Sequence, residues 1–117
     1  MVKNSKIAKK ANVFQVLKTI RKGQPITIEE IIDQTGLSRP TVISILKELQ
    51  ITEKVSKSGF ASSDVGRQPM LYALNTKSNF AIGIDVDGPP INLVVSDVNG
   101  KVVYNKSWTI DLFSEPE

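Results

Sequence analysis

The sequence contains no cysteine and no histidine among its 117 residues. It therefore has no disulfide and none of the Cys/His ligand sets that hold zinc, and we predict neither a metal site nor a bound cofactor. No apolar run approaches the length that spans a membrane, and no signal peptide is recognisable before the first predicted helix. The absence of cysteine fits a reducing compartment, so we expect a cytoplasmic location without membrane contact.

Basic and acidic residues are distributed unevenly along the chain. Residues 1–76 contain 12 of the 15 Lys and Arg but only 6 of the 12 Asp and Glu, so this part carries +6 and the remainder −3. We therefore predict two domains, 1–76 and 77–117, of which the first suits a phosphate-rich partner. Lysines before the first predicted helix could follow phosphates or keep a frayed terminus solvated. They are Lys3, Lys6, Lys9 and Lys10.

Two short helices joined by a glycine turn are the clearest local feature of the sequence. Thr27 can cap the first of them in a capping box with Glu30, and Gly36 ends it. Ser38 caps the next helix, and Pro40 lies in its first turn, where the missing N–H costs no intrahelical bond. This is the pattern of a helix-turn-helix, which makes duplex DNA the first partner to consider.

Apolar residues recur at helical spacing in three segments of the first domain. The two helices of the motif carry Ile28, Ile31 and Ile32, and then Val42, Ile45, Leu46 and Leu49. An earlier helix is predicted to begin after Asn12 and to close at Gly23 and Pro25. Its stripe consists of Val13, Val16, Leu17 and Ile20. Short helices are marginal alone, so we expect the three stripes to form one small core.

The second motif helix carries small hydroxyl residues and cations on the face opposite its apolar stripe. Such side chains suit the major groove, because Arg and Lys donate to guanine while Ser and Thr bond base edges or phosphate. We predict DNA contacts from Ser38, Arg39, Pro40, Thr41, Ser44 and Lys47. The alternative is an ordinary solvated face in a winged-helix module that binds a protein and no specific DNA.

A β-ribbon, or wing, is predicted after the motif, with strands at 53–57 and 70–74 and a Ser/Gly-rich loop at 58–66. In Gly66-Arg67-Gln68-Pro69, glycine and proline restrict the backbone around an exposed cation. That cation suits a narrow minor groove, so Arg67 and Gln68 join the predicted DNA contacts. The alternative is a turn that carries an Arg for solubility. Phe60 has no evident burial partner in the sequence.

Several short motifs, taken in order, carry a family resemblance. They are Asn12, Thr35-Gly36-Leu37-Ser38 with Thr41-Val42, Gly66-Arg67-Gln68-Pro69 with Leu71 and Leu74-Asn75, and Gly83-Ile84-Asp85. The sequence resembles the N-terminal part of a ROK-family transcriptional regulator, the group that includes the xylose and N-acetylglucosamine repressors. The resemblance implies an α+β chain, a winged helix-turn-helix domain followed by the first β-strands of a truncated actin/hexokinase-like (RNase H-like) domain. Residues 50–54 lack the glycine that the family usually has there.

The second domain is predicted as a β-meander. Its strands are expected at 80–84, at 91–95 and from Lys101 toward Ile110, with a hairpin turn at Asn99-Gly100. In sugar kinases of the family the loop after the first strand reads Asp-x-Gly-Gly-Thr and binds ATP phosphates. This chain instead has Asp85-Val86-Asp87-Gly88-Pro89. Asp87 brings a negative charge and Pro89 removes a hydroxyl and an N–H donor, so we predict no kinase activity.

The resemblance also implies what lies outside the chain. The family's catalytic aspartate and Cys/His zinc site would follow Glu117, so we expect an N-terminal fragment that is not an enzyme. Its partner would be a double-stranded DNA operator. A sugar or sugar-derivative inducer would bind only through the missing C-terminal body, and the full-length regulator would be a homo-oligomer. The sequence thus indicates a sequence-specific DNA-binding repressor of sugar-utilisation genes, with the protein-binding module as the alternative.

Overall fold

Residues 2–109 contain three helices and six strands. The computed structural model describes the backbone of these residues and the side chains of residues 5–109. In chain order the elements are α1 (Val2–Gly23), β1 (Ile26–Thr27), α2 (Ile28–Thr35), α3 (Arg39–Ile51), β2 (Val55–Phe60), β3 (Met70–Leu74), β4 (Phe80–Asp85), β5 (Ile91–Asp97) and β6 (Val102–Trp108). They form two compact units, a first unit of residues 1–75 and a second unit of residues 76–117.

The first unit packs three helices against a three-stranded antiparallel sheet. The strand order is β1-β3-β2, with Thr27 opposite Leu71 and Val55 opposite Leu74. Strand β1 was not predicted from the sequence, because two residues are too few to show an alternating pattern. Its pairing with β3 holds the start of α2 against the sheet, since α2 follows β1 directly.

Helix α1 begins at Val2, so the assignment of Asn12 as its N-cap is wrong. Asn12 lies within the helix. The lysines for which the sequence left open a phosphate contact or a frayed terminus are helical too: Lys3, Lys6, Lys9 and Lys10. The upstream residues include several Lys and Ala, which are good helix formers, and no Gly or Pro interrupts the helix before Gly23. Lys9 Nζ forms an ion pair with Glu48 Oε2 of α3 at 3.1 Å.

A single hydrophobic core lies between the helices and the sheet of the first unit. Its residues confirm the three predicted apolar stripes, and Val55 and Tyr72 complete the core from the sheet side. The most deeply buried side chains are Val16, Ile20, Ile26, Ile31, Val42, Leu46 and Leu49. Because all three helices contribute, none of them buries its apolar stripe alone.

Local hydrogen bonds determine where α2 begins and ends, as predicted. The Thr27 N–H donates to Glu30 Oε2 (2.8 Å) and the Glu30 N–H donates to Thr27 Oγ1 (3.2 Å), which completes the capping box. Gly36 ends the helix in the left-handed region at φ 69°, where its N–H donates to the Ile32 carbonyl (2.8 Å). A residue with a Cβ is strained at this φ, so the turn favours glycine.

The wing consists of β2 and β3, and its first strand lies later in the sequence than predicted. β2 spans Val55–Phe60 instead of 53–57, because Glu53 adopts a left-handed backbone (φ 57°) in the turn after α3. The Lys54 N–H donates to the Leu49 carbonyl (2.8 Å) across this turn. Glu53 thus makes a turn for which the family resemblance led us to expect glycine. β3 occupies its predicted position.

The second unit is an antiparallel sheet in the order β4-β5-β6. The predicted hairpin turn at Asn99-Gly100 is present. Asp97 Oδ1 accepts hydrogen bonds from the N–H groups of Asn99 (2.9 Å) and Lys101 (3.0 Å) in this turn. β6 spans Val102–Trp108, and the predicted continuation to Ile110 lies outside the described residues. The predicted meander is therefore confirmed as far as the structure describes it.

Replacing Gly36 by Ala is expected to destabilise the first unit by about 1 kcal/mol. The cost is backbone strain at positive φ, because no atom lies within 4 Å of the added Cβ. Urea unfolding followed by far-UV circular dichroism measures this change. Gly83→Ala is the control, since its added Cβ also meets open space but without a positive φ. Equal effects of the two substitutions would contradict a strained turn at Gly36.

The capping box is expected to make stability depend on pH. Hydrogen bonds from the Thr27 N–H and then the Thr27 hydroxyl lower the pKa of Glu30 below its ordinary value of 4.5, against a small opposing effect of burial. A carboxylate with a lowered folded-state pKa stabilises the fold above its unfolded pKa and loses this contribution as the pH falls through the folded pKa. The free energy of unfolding should therefore fall more steeply with acidification in the wild type than in Glu30→Gln.

Urea titrations from neutral pH down to about pH 3 test this expectation. Asp33→Asn serves as the control, because it neutralises another carboxylate of α2 outside the capping box. Parallel stability curves for the wild type and Glu30→Gln would show that the cap does not depend on the charge of Glu30.

Candidate nucleic-acid interface

The rotation of α3 about its own axis is fixed by its apolar stripe, which is buried along the whole helix as predicted. The opposite face is open to solvent. Arg39, Pro40, Ser44 and Lys47 are exposed there, and Thr41 is half-buried. The structure thus exposes the side chains for which the sequence predicts DNA contacts, while the contacts themselves stay a prediction.

Two hydroxyls at the N-terminus of α3 form a short chain of hydrogen bonds. Ser38 Oγ accepts from the Thr41 N–H (3.3 Å), which caps the helix as predicted, and donates to Thr41 Oγ1 (2.8 Å). Ser38 is therefore engaged within the protein. The Thr41 hydroxyl accepts this bond and keeps its own proton for an acceptor outside the chain, such as a phosphate or a base edge.

Arg39 begins α3 and forms an ion pair with the preceding helix. Its Nη2 donates to Oε1 of Glu29, which lies in the first turn of α2. The side chains are 53% exposed for Arg39 and 60% exposed for Glu29. Ion pairs this exposed contribute little to stability. The pair therefore adds little to the stability of the fold.

The wing loop is closed at its base by a backbone hydrogen bond from the Ala61 N–H to the Pro69 carbonyl (2.8 Å). Arg67 and Gln68 come just before this closure, and both are exposed. They follow Gly66, whose φ of 84° turns the backbone toward the return strand. Arg67 therefore lies near the base of the wing loop and not at its tip.

A cleft of about 320 Å³ brings the start of α3 together with the base of the wing. Three of the predicted contact residues line it: Arg39, Arg67 and Gln68. Its other lining residues are Thr27, Ile28, Glu29, Phe60, Pro69 and Met70. Two cations and an amide thus converge at one cleft, beside an aromatic ring. We call this the wing cleft.

The predicted contact residue Lys47 lies farther along α3, at a smaller cleft of about 240 Å³ between the helices and the wing. Lys57 of β2 lines the same cleft. Sequence reasoning missed Lys57, although its spacing of two residues from the buried Val55 places both on one face of the strand. The second cleft is therefore lined by one cation from α3, Lys47, and one from the wing, Lys57.

Sequence reasoning also missed two residues of the wing cleft. Phe60 pairs with Met70 in the wing and is 59% exposed. The only indication in the sequence was that Phe60 is a large apolar residue without an evident burial partner. Glu29 gave no signal, because its contact with Arg39 depends on how α2 and α3 cross.

Comparison with known proteins finds sequences similar to this chain. Residues 9–50 match a family model described as winged helix-turn-helix DNA-binding. The xylose repressor of Bacillus subtilis (strain 168) is 34% identical over 98 residues, which cover 84% of this chain and 26% of that repressor. A putative xylose repressor of Caldicellulosiruptor sp. (strain Rt8B.4) is 29% identical over 114 residues, which cover 97% of this chain and 29% of the relative.

The fold has a counterpart among solved structures. A ROK family transcriptional regulator, described as a homolog of the E. coli MLC protein, matches with a TM-score of 0.69 at 16% identity. The match covers 89% of this chain and 26% of that one. The resemblance to the N-terminal part of a ROK-family regulator is confirmed. The chain spans about a quarter of the length of the curated relatives it matches.

The loop after β4 differs from the Asp-x-Gly-Gly-Thr phosphate-binding loop of the ROK-family sugar kinases. Asp85 Oδ1 accepts from the Asp87 N–H (3.1 Å), so the loop holds its own backbone with a carboxylate. Within the described residues, no group of three or more Asp or Glu side chains could hold a metal ion. No helix of that part of the chain is long and apolar enough to cross a membrane.

Replacing Arg67 by Ala is expected to weaken binding more on duplexes with A·T-rich flanks than on duplexes with G·C-rich flanks, because a narrow minor groove attracts a cation. Fluorescence anisotropy with both duplexes measures the difference. Arg21→Ala, which removes an Arg from the last turn of α1, controls for net charge. Equal losses on both flanks would make Arg67 a plain phosphate contact, and no loss would remove it from the interface.

Proposed function

We propose that this chain is the DNA-binding part of a transcriptional repressor of sugar-utilisation genes. The observation that carries the proposal is the exposed polar face of α3 beside the wing cleft, where Arg39, Arg67 and Gln68 converge. This surface belongs to the first unit, whose net charge of +6 suits a module that contacts phosphates. The match to a winged helix-turn-helix model and the repressor names of the relatives support the same function.

In this proposal α3 lies in the major groove and the wing follows the neighbouring minor groove or its phosphates. The hydroxyls of Thr41 and Ser44 bond base edges or phosphate, and Lys47 donates to guanine or phosphate. Ser38 caps α3 and Pro40 lies in its first turn, and together they bring the N-terminus of the helix to the backbone of the duplex. Further contacts come from Arg39 at the start of α3, from Arg67 and Gln68 in the wing, and from Lys57 of β2, which lines one cleft with Lys47.

We propose further that the whole regulator responds to a sugar or sugar derivative bound outside this chain. Support comes from the relatives, which are named xylose repressors and are about three and a half to four times as long as the aligned region. Two DNA-binding units on a palindromic operator would bind more tightly than one, so we expect a homo-oligomer. The regulator would act in the cytoplasm, where its operator lies.

We also propose that the chain acts as a regulator and not as a sugar kinase. Asp87 and Pro89 occupy loop positions where the family's kinases have a glycine and a threonine. A carboxylate repels phosphate, and proline lacks the N–H that would bind it. The relatives are named repressors, in agreement with a regulatory role.

The function is tested by selecting duplexes that the chain retains from a random pool, and then by measuring binding to the selected duplex at increasing salt. Each neutralised phosphate contributes about 0.9 to the slope of log affinity against log salt. Phosphate contacts from Lys47, Lys57 and Arg67 would give a slope of about −3. An unenriched pool together with salt-independent binding would contradict DNA recognition and favour a protein-binding module.

Replacing Ser44 by Ala is expected to weaken binding to the selected duplex by about 1–3 kcal/mol, because it removes a contact of α3 with a base edge. Far-UV circular dichroism should show an unchanged fold, since the side chain is exposed. Ser56→Ala in β2, which removes another exposed hydroxyl, is the matched control. The same affinity for both variants would show that Ser44 does not contact the duplex.

A further inference from the structure

The ion pair between Glu29 and Arg39 places a negative charge within the surface assigned to DNA. Both residues line the wing cleft, and each comes from the start of a different helix of the motif. A carboxylate at such a place is unfavourable for simple attraction of a polyanion, since like charges repel. The position of the Glu29 carboxylate beside the Arg39 guanidinium therefore requires a physical explanation.

We propose that Glu29 is a specificity-determining residue, which orients Arg39 and offsets its charge so that Arg39 binds a base edge and not a phosphate. This inference rests on the proposed DNA binding. Glu29 acts through Arg39 and makes no contact with the duplex itself, so it is a positioning residue.

The geometry leaves Arg39 able to bind a second group. The ion pair engages Nη2, and 53% of the Arg39 side chain stays exposed. A guanidinium has five N–H donors in a rigid fork, so one occupied donor fixes the plane of the others. A fixed fork matches the two acceptors of guanine, O6 and N7, at less entropic cost than a freely rotating side chain.

A DNA phosphate and a base edge differ in charge, so Glu29 affects their binding to Arg39 differently. A phosphate carries a full negative charge, and beside Arg39 it meets repulsion from Glu29. A base edge presents neutral acceptors and meets no such penalty. Glu29 thus weakens phosphate binding at Arg39 and leaves the hydrogen bonds to a base edge, which raises the ratio of specific to non-specific affinity.

Arg67 provides a contrast within the same cleft. Among the described residues it has no ion-pair partner, so its full charge is available to the minor groove or to a phosphate. The wing cleft therefore holds one cation whose charge is offset and one whose charge is not. This difference between Arg39 and Arg67 agrees with a model in which α3 recognises bases and the wing binds the phosphate backbone of DNA.

The test compares Glu29→Gln with Asp33→Asn, which removes the same charge from α2 outside the wing cleft. Affinities of the 117-residue chain are measured for the selected duplex and for a shuffled duplex of equal composition, over a range of salt. For Glu29→Gln we expect the ratio of the two affinities to fall about tenfold. The salt slope on the shuffled duplex should steepen by about 0.9, which corresponds to one new phosphate contact. Asp33→Asn should leave the ratio unchanged.

A second pair of variants shows whether the effect passes through Arg39. In an Arg39→Ala background, Glu29→Gln should no longer change the affinity ratio, because the guanidinium it positions is absent. An equal change in both backgrounds would overturn the inference. So would a Glu29→Gln variant that behaves like Asp33→Asn while the wild type still discriminates between the duplexes. A wild type that binds both duplexes equally would instead overturn the proposed function itself.

Discussion

Burial of the apolar stripe of α3 is the constraint on which the rest of the proposed DNA-binding surface depends. Val42 and Leu46 lie in the centre of a core to which all three helices contribute. A helix anchored along one stripe cannot rotate without exposing it to water, which costs about 25 cal/mol for each Å² of apolar surface. The rotation of α3 is therefore fixed by its buried side, and the positions of Ser44 and Lys47 follow from it.

The connections of the first unit control how α3 meets its neighbours. Gly36 ends α2 with a left-handed residue, and Glu53 makes the corresponding turn after α3. The first turn determines how α2 and α3 cross, and with it the contact between Glu29 and Arg39. The second directs the chain into β2, whose Phe60 and Lys57 line the two clefts. Gly36 and Glu53, both at positive φ, thus help to place side chains of α2, α3 and β2 on one surface.

Features governed by local sequence were predictable, and features governed by contacts between distant segments were not. The capping box at Thr27 and the stop at Gly36 depend on residues a few positions apart, and both agree with the structure. The long N-terminal part of α1 was missed because Asn favours an N-cap over a helix interior, and the Lys and Ala residues before Asn12 outweigh that local preference. The two residues of β1 become a strand only through pairing with β3. For the same reason, no pattern in the sequence could reveal the ion pair of Glu29.

The outer strands of the second unit affect how the affinity for DNA has to be measured. In the sheet order β4-β5-β6, the outer strands β4 and β6 have unpaired backbone groups within the described residues. Large apolar side chains such as Phe80 and Ile82 are exposed along β4. Such edges favour pairing with another chain. Two chains joined in this way would carry two copies of the proposed DNA-binding unit. Their apparent affinity for DNA would rise with protein concentration through avidity, without any new contact to the duplex.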